Sequence, residues 1–202
     1  MDKWHYEDAD LRIRKVVVGP LENNVYVVAD SGTGKAAIID AADEPDIIEA
    51  AVADVEPVAI LTTHGHADHV GAAAELRNRL AAPFRIHPAD ADQAGIAPDV
   101  PMADGEEVDV GELRLQLIHT PGHTPGSTCV GLPGHVFTGE TLFPGGPGAT
   151  SRPESNFDQI IESIRGRLFP MADETVVYPG HGLDTTIGDE RPHLQEWVDR
   201  GW

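Results

Sequence analysis

The sequence predicts an α/β fold, and three observations carry that prediction. Val- and Ile-rich runs at residues 11–18, 24–29 and 36–40, the last two separated by Asp30-Ser31-Gly32-Thr33-Gly34, read as an antiparallel meander closed by a hairpin turn. From Glu44 to residue 87, strand and helix patterns alternate at the spacing of βα units. Strand pairs return over residues 106–138, and helical patterns follow in the last third of the chain. The length of 202 residues accommodates one domain with a sizeable core, so a single domain spanning 1–202 is expected.

Each element has its own signal. Pro45 stands in the first turn of a helix that continues through Ile47, Ile48, Ala51 and Val52. The run Val58-Ala59-Ile60-Leu61 reads as a buried strand, and Val70, Ala73, Ala74, Leu76 and Leu80 predict a helix over 68–80. Residues 84–87 form the next strand. Residues 88–105 are rich in Ala, Asp and Pro and predict a short helix at most, then a loop. Two strands turn at Gly111, and a hairpin turns at Pro133-Gly134. Residues 144–153 hold too much Gly and Pro for helix or strand. Phe157, Ile160, Ile161, Ile164 and Leu168 predict a helix over 156–168, followed by a strand at 175–178 and a closing helix at 190–198.

Composition narrows the function. A net charge of −20 with no basic stripe excludes a protein that grips nucleic-acid phosphates. The first eight residues carry no apolar targeting region, and no stretch is long and apolar enough to cross a bilayer, so a cytoplasmic protein without a membrane partner is expected. The single cysteine, Cys129, lies in the apolar run Thr128-Cys129-Val130 and reads as a buried, inert thiol.

The chemistry concentrates in His64-Gly65-His66-Ala67-Asp68-His69, directly after the 58–61 strand. Three imidazoles and a carboxylate within six positions suit zinc or iron, and a catalytic centre keeps one coordination position for water. A histidine pair alone arises easily by chance in a solvated loop. Here His123, in Thr120-Pro121-Gly122-His123-Thr124-Pro125-Gly126-Ser127, and His181, in Tyr178-Pro179-Gly180-His181-Gly182, repeat the pattern of a strand followed by a ligand-type residue on a glycine-containing loop. Asp40 and Glu140 also end apolar runs. His5, His87, His119, His135 and His193 read as surface or packing imidazoles.

Through THGHADH, HTPGHTPGS, TGETLF and YPGHG, in that order and across nearly the whole chain, the sequence resembles the metallo-β-lactamase-fold hydrolases. It is most similar to their short, single-domain glyoxalase II-like (hydroxyacylglutathione hydrolase-like) branch. The resemblance implies a four-layered αβ/βα sandwich holding two divalent metal ions, zinc above all, with iron or manganese as alternatives. His64, His66 and His123 would hold the first, and Asp68, His69 and His181 the second. Glu140 falls where those enzymes carry a metal-bridging Asp, and Asp68 would also act catalytically, steering the attacking water or protonating the leaving group. Asp40 matches a residue that supports the metal loop, although a helix cap or loop brace explains it as well. Arg152, in the Gly/Pro loop after Glu140, is the cation available for a substrate carboxylate if that loop is more than a connector. The implied activity is metal-dependent hydrolysis of a small thioester, such as S-lactoylglutathione or a related acyl-thiol. Alternatives are a mononuclear iron enzyme similar to persulfide dioxygenases, which share the HxHxDH text, and a lactonase of the same fold. The sequence leaves thiol identity and oligomeric state open.

Overall fold

Successive side chains of a strand point to opposite faces, and this chain uses both faces of its sheets. The computed structural model describes residues 4–201. Its first sheet runs in sequence order through β1 (Tyr6–Glu7), β2 (Leu11–Val18), β3 (Asn23–Asp30), β4 (Lys35–Ile39), β5 (Glu56–Leu61) and β6 (Phe84–Arg85). β2, β3 and β4 pair antiparallel, as the meander predicts, and β1, which the sequence reading does not contain, pairs antiparallel with β2 at the edge. β4, β5 and β6 are parallel, joined by the helices α1 (Pro45–Ala51), α2 (Ala67–Val70) and α3 (Ala73–Leu80). A turn at Pro88–Asp90 and α4 (Ala91–Ala94) then lead into the second sheet.

That sheet contains β7 (Glu107–Val110), β8 (Leu113–His119), β9 (Thr128–Leu132) and β10 (His135–Gly139), consecutive antiparallel neighbours. A small ladder of β11 (Leu142–Phe143) and β12 (Gly146–Pro147) and the helix α5 (Phe157–Ser163) intervene before β13 (Val176–Pro179) and β14 (Thr185–Thr186) extend the sheet. β13 lies parallel to β10. The helices α6 (Ile187–Glu190) and α7 (Leu194–Arg200) close the chain.

Three apolar layers separate these elements. Val25, Val27, Ile38 and Ile60 face outward to Ile48 of α1 and Leu76 of α3. Their neighbours Tyr26, Val28, Ile39 and Leu61 face the other way and meet Leu117, Val130, Phe137 and Tyr178 between the sheets. Cys129, Val136 and Val177 face out from the second sheet against Ile160, Ile164 and Trp197. Helix, sheet, sheet and helix therefore stack as the αβ/βα sandwich. Cys129 is fully enclosed, and burial pushes its thiol up to about 11. No helix among the described residues is long and apolar enough to cross a membrane.

Four elements differ from the sequence reading. The 68–80 helix is two helices, because Gly71 lies so close to Ala42 that a Cβ there would come within 2.5 Å of the Ala42 carbonyl oxygen. Ala72 N also donates to Ala41 O at 3.0 Å, outside any helical ladder. The apolar spacing hides this break, since Val70, Ala73 and Leu76 still face one core. The 144–153 loop contains a strand after all, the short β12 paired with β11. The 156–168 helix starts on the Asn156 cap, whose Oδ1 accepts from Gln159 N at 2.9 Å, but relaxes into a π-helical turn at Ile164–Leu168. The closing helix begins three residues early and is divided by a tight turn at Arg191–His193, where Pro192 cannot donate a helical hydrogen bond.

Candidate metal centre

β4 and β5 run parallel, as do β10 and β13, and each of these four strands ends next to a ligand-type residue: Asp40, His64, Glu140 and His181. His123 enters from the β8–β9 connection. The fold thus gathers residues separated by more than a hundred positions at one rim. The ligand atoms of His64, His66 and His123 lie within 4.8 Å of one another, as do those of Asp68, His69 and His181. The two groups adjoin, with the His64 and His69 ring centroids 4.2 Å apart. Glu140 stands beside the second group, its Oε1 3.5 Å from His181 Nε2 and 3.8 Å from His69 Nε2.

Hydrogen bonds on the far side of each ring decide which nitrogen faces inward. Carbonyl oxygens only accept, so His123 Nδ1 donates to Ala149 O at 2.8 Å and His181 Nδ1 to Leu21 O at 2.9 Å. His69 Nδ1 donates to the Asp40 carboxylate at 2.9 Å. The Thr63 hydroxyl donates to that carboxylate at 2.8 Å, which leaves it to accept from His64 Nδ1 at 3.1 Å. His66 Nε2 faces Glu154 Oε1 at 3.3 Å. Every ring is therefore left with one lone pair, and all five lone pairs point into the two clusters.

His66 Nδ1 and His123 Nε2, both lone-pair bearing, stand 3.0 Å apart. His64 Nε2 and Glu140 Oε1 are buried and meet no hydrogen-bond partner among the described residues. Burial holds His64 well below the usual imidazole range and His123 down to about 4, so both are neutral and ready to ligate near pH 7. Burial alone would lower His69 too, but the Asp40 carboxylate outweighs it and raises the ring. His181, whose Nε2 stands 3.6 Å from Asp68 Oδ2, is raised by that carboxylate, and Asp68 is in turn held far below the usual carboxylate range by the neighbouring imidazole. Desolvation raises Glu140. The donor set fits metal ions held by imidazole and carboxylate.

Asp40 supports the metal loop and caps no helix. It is 2 % exposed, adopts φ 56°, and accepts from Thr63 N at 2.7 Å as well as from Thr63 Oγ1 and His69 Nδ1. Arg152 is exposed on the loop that reaches the histidines through Ala149, and its charge lowers His66 and His123. A hollow of about 240 Å³ opens beside Glu140, lined by Phe143 and residues 144–149. A wider cavity of about 690 Å³ lies on the outer face of the second sheet, around Leu113, Gln116 and Met171, away from the clusters. Of the remaining histidines, His87 and His119 stack on each other at 4.3 Å, and His135 packs against Tyr178.

Three contributors escape the sequence reading. Asn23, 2 % exposed, places its amide nitrogen 3.0 Å from Asp68 Oδ2. Asp90, with no exposed surface, accepts from Gly65 N, Gly126 N and Thr124 Oγ1, tying the His64 loop to the His123 loop. Glu154 orients His66. Two successive asparagines inside a Val-rich strand, where Asn is normally depleted, were the one available signal for Asn23.

The model of the Metallo-beta-lactamase superfamily matches residues 18–181 of this sequence. The chain belongs to that superfamily. It is 31% identical over 206 residues to hydroxyacylglutathione hydrolase GloC of Haemophilus influenzae, covering 90% of this chain and 95% of that one. The structure of ETHE1 from Myxococcus xanthus is similar with a TM-score of 0.83 and 34% identity, over 90% of this chain and 82% of that one. TTHA1623 in a di-iron-bound form matches with a TM-score of 0.76 and 34% identity, over 88% and 96%. The fold and the motif order that the sequence implies are those of this superfamily.

Proposed function

We propose that this protein hydrolyses a small thioester, an acyl group on a low-molecular-weight thiol such as S-lactoylglutathione, at a centre of two divalent metal ions. The observation that carries this reading is the pair of adjacent three-residue clusters with all five imidazole lone pairs turned inward. His64, His66 and His123 would hold one ion, and Asp68, His69 and His181 the other, with Glu140 beside the second. Bound there, the ions supply a water activated near neutral pH and a polarised carbonyl. Relatedness to a hydroxyacylglutathione hydrolase supports the substrate class, and the di-iron form of TTHA1623 supports two ions and makes iron an alternative to zinc.

The chain's own groups divide the remaining work. Asp68 stays ionised beside His181 and under the hydrogen bond of Asn23, so it accepts a hydrogen bond from the attacking water and orients it. A departing thiolate is stable near neutral pH and needs no strong general acid. Arg152 offers a cation at the rim for the substrate's anionic end. The acidic chain, at −20, suits a small substrate and disfavours a nucleic acid.

Elemental analysis of protein purified without chelator should approach two equivalents of metal. A panel of acyl-thiols, with a homoserine lactone and a β-lactam as controls, should show thiol release. Turnover of the lactone or lactam with every thioester inert would sink the substrate reading. One equivalent of iron with dioxygen uptake on a persulfide would favour an oxygenase instead. Arg152→Ala should raise KM with little change in kcat, as for lost uniform binding. Glu140→Asp should keep both ions and Glu140→Ala should not.

A further inference from the structure

The side-chain amide of Asn23 meets three ligand atoms at once. Its Nδ2 lies 3.0 Å from Asp68 Oδ2, 3.3 Å from His181 Nε2 and 3.4 Å from His69 Nε2. Asp68 Oδ2 is in turn 3.4 Å from His69 Nε2 and 3.6 Å from His181 Nε2. These five distances cluster around the edge of a tetrahedron, about 3.4 Å, whose centre is about 2.1 Å from every corner, the usual length of a bond from zinc to nitrogen or oxygen. The amide thus occupies one corner of a coordination polyhedron that Asp68, His69 and His181 also build, with Glu140 Oε1 3.5 Å from His181 Nε2 and 3.8 Å from His69 Nε2. Its backbone is fixed there, since Asn23 bridges to His181 across the two sheets and Asn24 N donates to Gly180 O at 2.7 Å.

An amide nitrogen is no metal ligand, but an amide carbonyl is a good one for oxygen-preferring cations. The amide's two hydrogens are directed at three acceptors. An ion that engages the single lone pairs of His69 and His181 takes two of them away, and rotation about Cβ–Cγ brings Oδ1 to the same corner. We propose that Asn23 is a further protein ligand of the second ion, binding through Oδ1 alongside Asp68, His69, His181 and the neighbouring Glu140. This rests on the dinuclear reading above and adds a neutral ligand to it.

Stepwise metal affinities, measured by chelator competition with cobalt(II) and followed by its visible absorption, test the assignment. Asn23→Leu keeps the volume and removes the oxygen; it should weaken the second ion by about tenfold or more and leave the first unchanged. Asn23→Asp places an anionic oxygen at the same corner and should bind the second ion as tightly as the wild type or more so. An unchanged first ion reports that each variant is folded. A second-ion affinity in Asn23→Leu within about twofold of wild type would overturn the proposal. So would equal weakening in Asn23→Asp and Asn23→Leu, which would mark the amide as a hydrogen-bond donor to Asp68 alone. Equal weakening of both ions would overturn it too, as a general loss of structure. Wild-type protein that takes up one ion only would overturn the dinuclear reading along with this one, whereas two ions indifferent to Asn23 would overturn this one alone.

Discussion

Asp90 is a carboxylate without exposed surface and, among the described residues, without an ion pair, solvated instead by two backbone amides and a hydroxyl. Removing it strands donors that face no water, at about 1–3 kcal/mol for each unsatisfied group. Thr124 can turn to Ser127 Oγ, 2.7 Å away, but Gly65 N and Gly126 N have no such alternative. Asp90→Ala should therefore lower unfolding free energy by about 3 kcal/mol, read from urea titration, and loosen the ion held by the three histidines. A loss below about 1 kcal/mol would show that the loops hold each other without it. The contrast with the histidines explains what the sequence reveals at this scale. His64, His66, Asp68 and His69 are legible because their spacing is local and their chemistry is scarce. Asp90 sits in an Ala- and Asp-rich stretch where acids are common, and its partners lie 25 to 36 positions away.

At the scale of elements, the His123 loop takes its shape from α5. Asn156 N donates to Gly122 O at 2.7 Å, Ser155 Oγ to His123 O at 2.7 Å, and Ser163 Oγ to Pro121 O at 2.7 Å. Gly122 adopts φ 141°, and a Cβ there would fall 2.3 Å from Ile160 N. Gly122→Ala must displace the helix, so it should cost about 2–3 kcal/mol and deplete the metal bound by the three histidines. Gly134→Ala, at φ 79° in the β9–β10 turn with nothing within 4 Å, should cost about 1–2 kcal/mol and leave metal content intact. Similar metal loss in both would refute the coupling of α5 to the centre. The long strands and helices are visible in the sequence because each repeats its period several times. β1, β12 and β14, at two residues each, hold no period to read, and the break at Gly71 depends on a contact with Ala42 that no local pattern records.

Over the whole molecule, buried histidines couple folding to pH. Burial lowers His64, His66, His87, His123 and His135, whereas an unfolded histidine titrates near 6.5. Below that value the unfolded chain takes up protons that these folded rings refuse, so their stabilising effect is present above about pH 6.5 and is lost as pH falls towards about 4. His181, raised by Asp68, and His69, raised by Asp40 against its burial, act in the opposite sense: their contribution is complete below about pH 6.5 and fades as pH rises through their folded values. With five rings against two, metal-free protein should have a lower urea midpoint at pH 5 than at pH 7.5. A higher midpoint at pH 5 would show that the two carboxylate-paired rings dominate.

The contacts that join Asn23 and Asn24 to the end of β13 also set an order in time. A chain synthesised from its N-terminus has made every member of the three-histidine cluster once residue 123 has emerged, with much of the second sheet still to come. The other cluster waits for His181, which is made 158 positions after the Asn23 it must meet. A nascent chain stalled between these points would carry one cluster complete and, at the Asn23 end of β3, a strand end whose partner is still to come. The three-histidine cluster is thereby complete in the chain before the second can form.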